Sequence, residues 1–193
     1  MKNIFRCVMP LLSLILIFTT SAHAFELAHN IKSPAVALSG SVQVLFTPED
    51  DATSQIVLAI ERAQKQVLVQ AYSFTSREIA QALISAKQRG IDVQVIADAE
   101  QISKMEFNKI ATVAAGGVAV FVDSLHDSAH NKVMVINPGS TTPVVITGSF
   151  NFTRAAQFKN AENLLIFHDN RELTSAYLAN WLHHREHSQP LAK

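Results

Sequence analysis

The chain has almost no cysteine. Cys7 is the only one in 193 residues, so an internal disulfide and a thiolate metal cluster are both excluded. It has no excess of either charge, with 16 Lys and Arg against 16 Asp and Glu. A nucleic-acid binder usually shows a basic surplus, so any contact to phosphates must come from a local patch. Long apolar runs are scarce too. The one that stands out, Cys7 to Phe18, falls short of the ~20 residues that span a bilayer. There is no internal repeat and no low-complexity tract. There is also no H-E-x-x-H helix and no clustered Asp-x-Asp set, the usual sequence signatures of a catalytic metal.

The apolar run has a place of its own. Lys2 and Arg6 precede it, and Ser21-Ala22-His23-Ala24 follows with a small-x-small pattern. This is the layout of a secretory signal peptide over residues 1–24, with cleavage expected after Ala24; an uncleaved anchor is the alternative. Cleavage would remove the only thiol and leave a slight acidic excess. The expected compartment is the periplasm or the exterior, where a cysteine-free protein is at no disadvantage. Residues 25–40, with Pro34 and Gly40, read as a leader before one domain at 41–189.

From Gly40 on, β-like runs alternate with helical spacing. Val42, Val44 and Phe46 alternate as a strand does. Thr47-Pro48 with Glu49, Asp50 and Asp51 reads as a helix start. Val67 to Phe74 and Ile91 to Ile96 read as further strands, with a helix between them that Thr75 and Glu78 open as a capping box and that ends near Gly90. A helical stretch from Ile102 to Ala115 stops at Gly116-Gly117, and Val118 to Val122 is a strand. Lys132 to Ile136 and Pro143 to Thr147 flank a turn and form an antiparallel pair. Asn163 to His168 is a strand, and a last helix covers Arg171 to His187 with Asn170 as its cap. The expected fold is α/β: a single-domain sandwich with a mixed, mostly parallel sheet flanked by helices on both faces.

One constellation carries chemistry. Strand periodicity puts His130 and Lys132 on one face. The hairpin brings Gly148-Ser149-Phe150-Asn151 beside them, and Glu162 opens the next strand. A carboxylate near an imidazole fixes its tautomer. Taken alone, a lysine beside an apolar run usually reaches for solvent. The set is more informative than the pair.

H-x-K followed by G-S-x-N resembles the HKD signature of the phospholipase D superfamily. Ala71-Tyr72-Ser73-Phe74-Thr75, Gly148 to Thr153 and Asn160-Ala161-Glu162-Asn163 are similar to its small bacterial branch of metal-independent endonucleases, which carry one motif per chain. The likeness runs over about residues 41–187. It departs from the family in two ways. The Asp of H-x-K-x4-D is Asn137 here, and the turn from Pro138 to Pro143 is longer than the family norm.

The resemblance implies a two-step displacement at phosphorus without metal or cofactor. One His130 attacks, and a second, from another copy, protonates the leaving oxygen. That implies a homodimer with one shared site and a nucleic-acid substrate, DNA or RNA, read with little sequence preference. Lys132 and Asn151 would hold the non-bridging oxygens. Ser149 would bond the site or the phosphate, and Glu162 would orient His130. No stable membrane association is implied once the signal is removed. The alternatives are a phospholipid phosphodiesterase, and a catalytically silent nucleic-acid binder suggested by Asn137.

Weaker candidates are Arg154 and Lys159, placed to line a groove for flanking phosphates, and His126, a loop residue at the rim. His183 and His187 have the i, i+4 spacing of a metal pair but read as a solvated face with no third ligand in view. Trp181 reads as core or dimer contact. Phe150 and Phe152 read as buried beneath the site, and Asp98 as a cap or a support for it.

Overall fold

The computed structural model describes residues 35–191 apart from 106. The expected signal peptide and most of the leader lie outside the described residues. The strands are β1 (Ser41–Thr47), β2 (Gln66–Ala71), β3 (Asp92–Asp98), β4 (Ala119–Asp123), β5 (Lys132–Ile136), β6 (Val144–Gly148), β7 (Glu162–His168) and β8 (Gln189–Pro190). The helices are α1 (Ala52–Glu61), α2 (Arg77–Gln88), α3 (Ala99–Lys104), α4 (Ile110–Ala115), α5 (Arg154–Phe158) and α6 (Arg171–His187). One sheet holds the strands in the order β1-β7-β6-β5-β2-β3-β4-β8.

The sheet is mixed, as expected, but it is not mostly parallel. Only β2–β3 and β3–β4 run parallel. The pairs β1–β7, β7–β6, β6–β5, β5–β2 and β4–β8 are antiparallel. Parallel neighbours need a crossover of a dozen residues or so. Here α2 and the α3–α4 segment provide the two crossovers, while the β5–β6 turn and the short β6–β7 connection reverse the chain.

Alternation along the strands supplies both faces. Val67, Val69, Val93, Val95, Met134 and Ile136 pack beneath α1, α2 and α4. Leu68, Ile96, Val133 and Val135 face the other way and meet α6 through Trp181. Trp181 is 2% exposed and donates its indole N–H to Val69 O at 3.1 Å, so it is a core residue.

Helix starts follow side-chain caps more than the expected signals. Pro48 lies in a turn, and α1 begins only at Ala52, because Asp51 accepts from Ser54 N. Ser76, not Thr75, caps α2 by accepting from Ile79 N. The stretch 102–115 divides into α3 and α4, since the Asn108 side chain bonds the carbonyls of Ile102 and Met105 and interrupts the ladder. Asn170 does cap α6, at 2.9 Å from Leu173 N. Among the described residues no helix is long and apolar enough to cross a membrane.

The strand directions bring one set of ends together. The carboxyl ends of β1, β6, β2, β3 and β4 and the amino ends of β7 and β5 share one rim of the sheet. In open α/β sheets, ligands bind outside the carboxyl ends of parallel strands.

Candidate active site

Lys132 is the first residue of β5, paired with Ala71 at the end of β2. Its stem lies on the α1–α2 face with Met134 and Ile136, which leaves the residue only 6% exposed. His130, two residues earlier, stands exposed on the rim. The Lys132 ammonium is 2.9 Å from His130 Nδ1 and 3.3 Å from Nε2, and donates to His130 O at 2.8 Å. The expected pair is therefore in direct contact. Burial pushes the Lys132 ammonium below the usual lysine range, and the charge of Glu162 opposes that shift.

Tyr72 completes this group. Its ring lies 4.3 Å from the His130 ring, tilted by 50°, and 4.9 Å below the Lys132 Nζ. Its hydroxyl accepts from Gln101 at 3.0 Å. The sequence assigns Tyr72 no role beyond its place in the Ala71–Thr75 stretch that carries the resemblance. Its place one residue beyond β2, where β2 pairs with the strand of the H-x-K motif, was the available signal.

Gly148 ends β6 with φ 145°. A Cβ there would collide with Asn163 O, so only glycine lets β6 end against β7 in this way. Ser149 then sits beside the start of β7. Its hydroxyl donates to Glu162 at 2.6 Å and accepts from Asn163 N at 3.0 Å, which commits it to holding the site. Glu162 was expected to orient His130. Instead, its two oxygens accept from Ser149 and from Asn160 Nδ2, the latter at 2.9 Å. The reason is the strand order. β7 is two strands from β5, ~10 Å at the usual spacing, so within one chain Glu162 acts on Ser149 and, through its charge, on Lys132.

Asn151 is half-buried, with its Oδ1 buried and without a hydrogen-bond partner; its Nδ2 is the group that can donate to a phosphate oxygen. Phe150 and Phe152 are fully buried, as expected. Phe152 packs edge-on against Phe74 at 6.1 Å, and its carbonyl accepts from Thr75 N and Ser76 N. The segment carrying Asn151 is thereby anchored to the one carrying Tyr72. Asp98 is both cap and support: Oδ1 accepts from Gln101 N and Oδ2 from Ala129 N, each at 2.8 Å. The second bond fixes the residue before His130.

Asn137 lies at the opposite end of β5. It has φ 50°, a conformation that Asn and Asp tolerate best among side-chain residues. Its Oδ1 accepts from Gln64 N and Lys65 N, both at 2.9 Å. An amide oxygen thus does a job for which a carboxylate's charge is not needed. The far rim also holds a groove of about 610 Å³, lined by residues including Arg62, Asn137 and His168, well away from His130.

The weaker candidates fare differently. Arg154 and Lys159 are exposed at the two ends of α5, and the Arg154 guanidinium lies 4.8 Å from the Phe158 ring centre. Neither touches His130 or Lys132. His126 turns onto the buried Asp123, its Nδ1 3.2 Å from each carboxylate oxygen, with 44% of its side chain still exposed. The His183–His187 pairing is also corrected. His183 is solvated, with 73% of its side chain exposed, whereas His184 and His187 both turn onto Asp123 at 2.9 and 3.1 Å. Two short pairs, Asp123-x-x-His126 and His184-x-x-His187, were the signal for this cluster.

Known proteins resemble this chain in sequence and fold. The family model described as cardiolipin synthase, PLD-like domain matches residues 56–184. The phospholipase D of Rickettsia felis is 39% identical over 148 residues, which is 77% of this chain and 71% of that protein. The mitochondrial cardiolipin hydrolase of Xenopus tropicalis is 33% identical over 66% of this chain and 58% of its own. Among solved structures, Nuc of Salmonella typhimurium, a phospholipase D family member, superposes with TM-score 0.72 at 33% identity, over 79% of this chain and 99% of that one. NucT of Helicobacter pylori gives 0.70 at 25% identity, over 78% and 99%.

Proposed function

Because this chain belongs to the phospholipase D superfamily, we propose that it is an exported endonuclease that cuts phosphodiester bonds in DNA or RNA with little sequence preference and without a catalytic metal. The observation that carries the reading is the single, intact His130–Lys132 pair at a rim with an uncommitted Asn151 amide. One histidine cannot both attack phosphorus and protonate the departing oxygen on the far side of an in-line displacement. Two copies of the chain related by a two-fold axis supply both.

In the first step a His130 nitrogen forms a bond to phosphorus. The P–O bond opposite breaks, and the leaving oxygen takes a proton from His130 of the partner subunit. That second imidazole then takes a proton from water, whose oxygen displaces the phosphohistidine nitrogen. Lys132 and Asn151 from both copies hold the non-bridging oxygens. In the free chain the Lys132 ammonium rests against the His130 ring. An incoming phosphate oxygen competes for that ammonium and so frees the ring lone pair.

An exposed apolar stripe on the edge strand of the sheet supports a second copy. Val42, Val44 and Phe46 on edge strand β1 are 45%, 47% and 58% exposed. Their β7 neighbours are Phe167, Leu165 and Asn163, and the next pair along is Thr47 with Glu162. The apolar stripe ends one residue short of the Thr47–Glu162 pair, which projects from the opposite face of the sheet at the catalytic rim.

A phospholipid substrate is the second reading, favoured by the name of the Rickettsia relative. It needs the same groups and the same displacement. Plasmid nicking by the purified protein in excess EDTA, beside His130→Ala and a vesicle assay for head-group release, separates the two. We expect nicking by the wild type and a loss of roughly 10²–10⁴-fold in the variant. Head-group release without nicking would replace the nuclease reading with the lipid one.

A further inference from the structure

Three imidazoles converge on one buried carboxylate at the end of β4. Asp123 Oδ2 lies 2.9 Å from His184 Nδ1, 3.1 Å from His187 Nε2 and 3.2 Å from His126 Nδ1. The ring centres form a nearly equilateral triangle with sides of 5.0, 5.2 and 5.3 Å. His126 Nδ1 lies equally 3.2 Å from Oδ1, so three ring nitrogens crowd the two oxygens of a single carboxylate, whose lone pairs they fill. Oδ1 is partly taken as well, by Leu125 N at 3.1 Å. Burial works against the Asp123 charge, yet the three histidines and the Leu125 N–H hold its carboxyl well below the usual carboxylate range.

We propose that Asp123, His126, His184 and His187 bind one divalent transition-metal ion, Zn²⁺ by preference, as a structural clamp between α6 and the segment that carries His130. The donor set is the first argument. Three imidazoles and a carboxylate suit zinc, which takes four such ligands tetrahedrally with bonds of about 2.0–2.1 Å. The four ligand atoms already lie within 4.8 Å of one another. The Asp–His separations are close to the ~3.3 Å edge of that tetrahedron. The remaining histidine pairs close by ring rotation, for which His126, with 44% of its side chain exposed, has room.

Position is the second argument. His184 and His187 occupy the last turn of α6, where the helix dipole favours a cation. The ion would tie β4, the loop after it and α6 into one unit, joining residues more than sixty apart in sequence. Closing so long a loop removes much freedom from the unfolded chain, and no cysteine is present after Cys7 to do it otherwise.

The site is not catalytic. β4 is three strands from β5, about 14 Å at the usual strand spacing, beyond coordination of a phosphate held by Lys132. It reaches the chemistry indirectly, because His126 and His130 belong to one loop that Asp98 pins at Ala129.

The test uses the full chain carrying a tag without histidines, stripped of metal and then dialysed against Zn²⁺. Zinc is counted by mass spectrometry, thermal unfolding is followed with and without zinc, and Co²⁺ is used as a spectroscopic probe. We expect one zinc per chain, a higher unfolding temperature with zinc, and the intense visible bands of tetrahedral Co²⁺. His126→Gln and His187→Gln change partly exposed side chains and leave the apo fold intact. Each should weaken binding by more than the ~10–100-fold that outer-shell changes cost and remove the thermal shift, while His183→Gln changes neither. No zinc held by the wild type, equal zinc held by the double variant, or an octahedral Co²⁺ spectrum would overturn the proposal.

Discussion

Lys132 is placed where its charge is useful to chemistry and costly to the fold. Its folded-state pKa is lowered by burial, so the protonated form disfavours folding at neutral pH. That penalty lifts as pH rises through the folded pKa toward the ordinary lysine value. Lys132→Met is therefore expected to unfold at a higher temperature than wild type at pH 7, with the gain shrinking in alkaline buffer, while activity falls by roughly 10²–10³-fold, as for loss of an oxyanion donor. Asn137 makes the opposite case, a motif position where charge is unnecessary. Asn137→Asp keeps the oxygen that accepts from Gln64 and Lys65 and should leave nicking within about twofold of wild type, the small effect of a change that breaks no contact. Asn137→Ala strands those two N–H groups and should cost about 1–3 kcal/mol in denaturant unfolding.

At the scale of elements, much of the fold was legible. The α6 boundaries and its Asn170 cap follow from spacing and cap chemistry, and the β5–β6 hairpin from its turn residues. What was not legible depended on competition between neighbours. Asp51 captures the α1 start from Pro48, and Asn108 splits a helix whose apolar spacing is unbroken. The site shows the same divide. His130-Asn131-Lys132 and Gly148 to Asn151 are contiguous and could be read directly. Tyr72 and the Asp123 cluster arise only where separate strands and α6 meet. Packing of α6 also leaves one flaw. Gln70 projects from β2 on the same side as Leu68, is 2% exposed, and neither end of its amide has a partner. Gln70→Met, similar in length and apolar, should raise stability by about 1–3 kcal/mol by removing an unsatisfied polar group, with activity unchanged.

At the scale of the whole molecule, the proposed chemistry divides between two copies. Val44→Asp places a charge in the exposed stripe of β1 without touching His130. It should yield monomers by sedimentation and lose nicking in parallel. An equal amount of His130→Ala chain, allowed to exchange with wild type, should halve the wild-type activity. A site complete within one chain would be unaffected by the mixture. The sheet also separates its two rims. Every group assigned to the reaction stands on one of them, and the lengthened turn between Asn137 and Pro143 stands on the other. That turn is a place where the chain can grow without consequence. A short epitope inserted after Gly139 should leave nicking intact, whereas the same insertion after Ser128 should abolish it. The far rim is thus a handle for labelling the protein and, over longer times, a region open to drift in length while the working rim stays fixed.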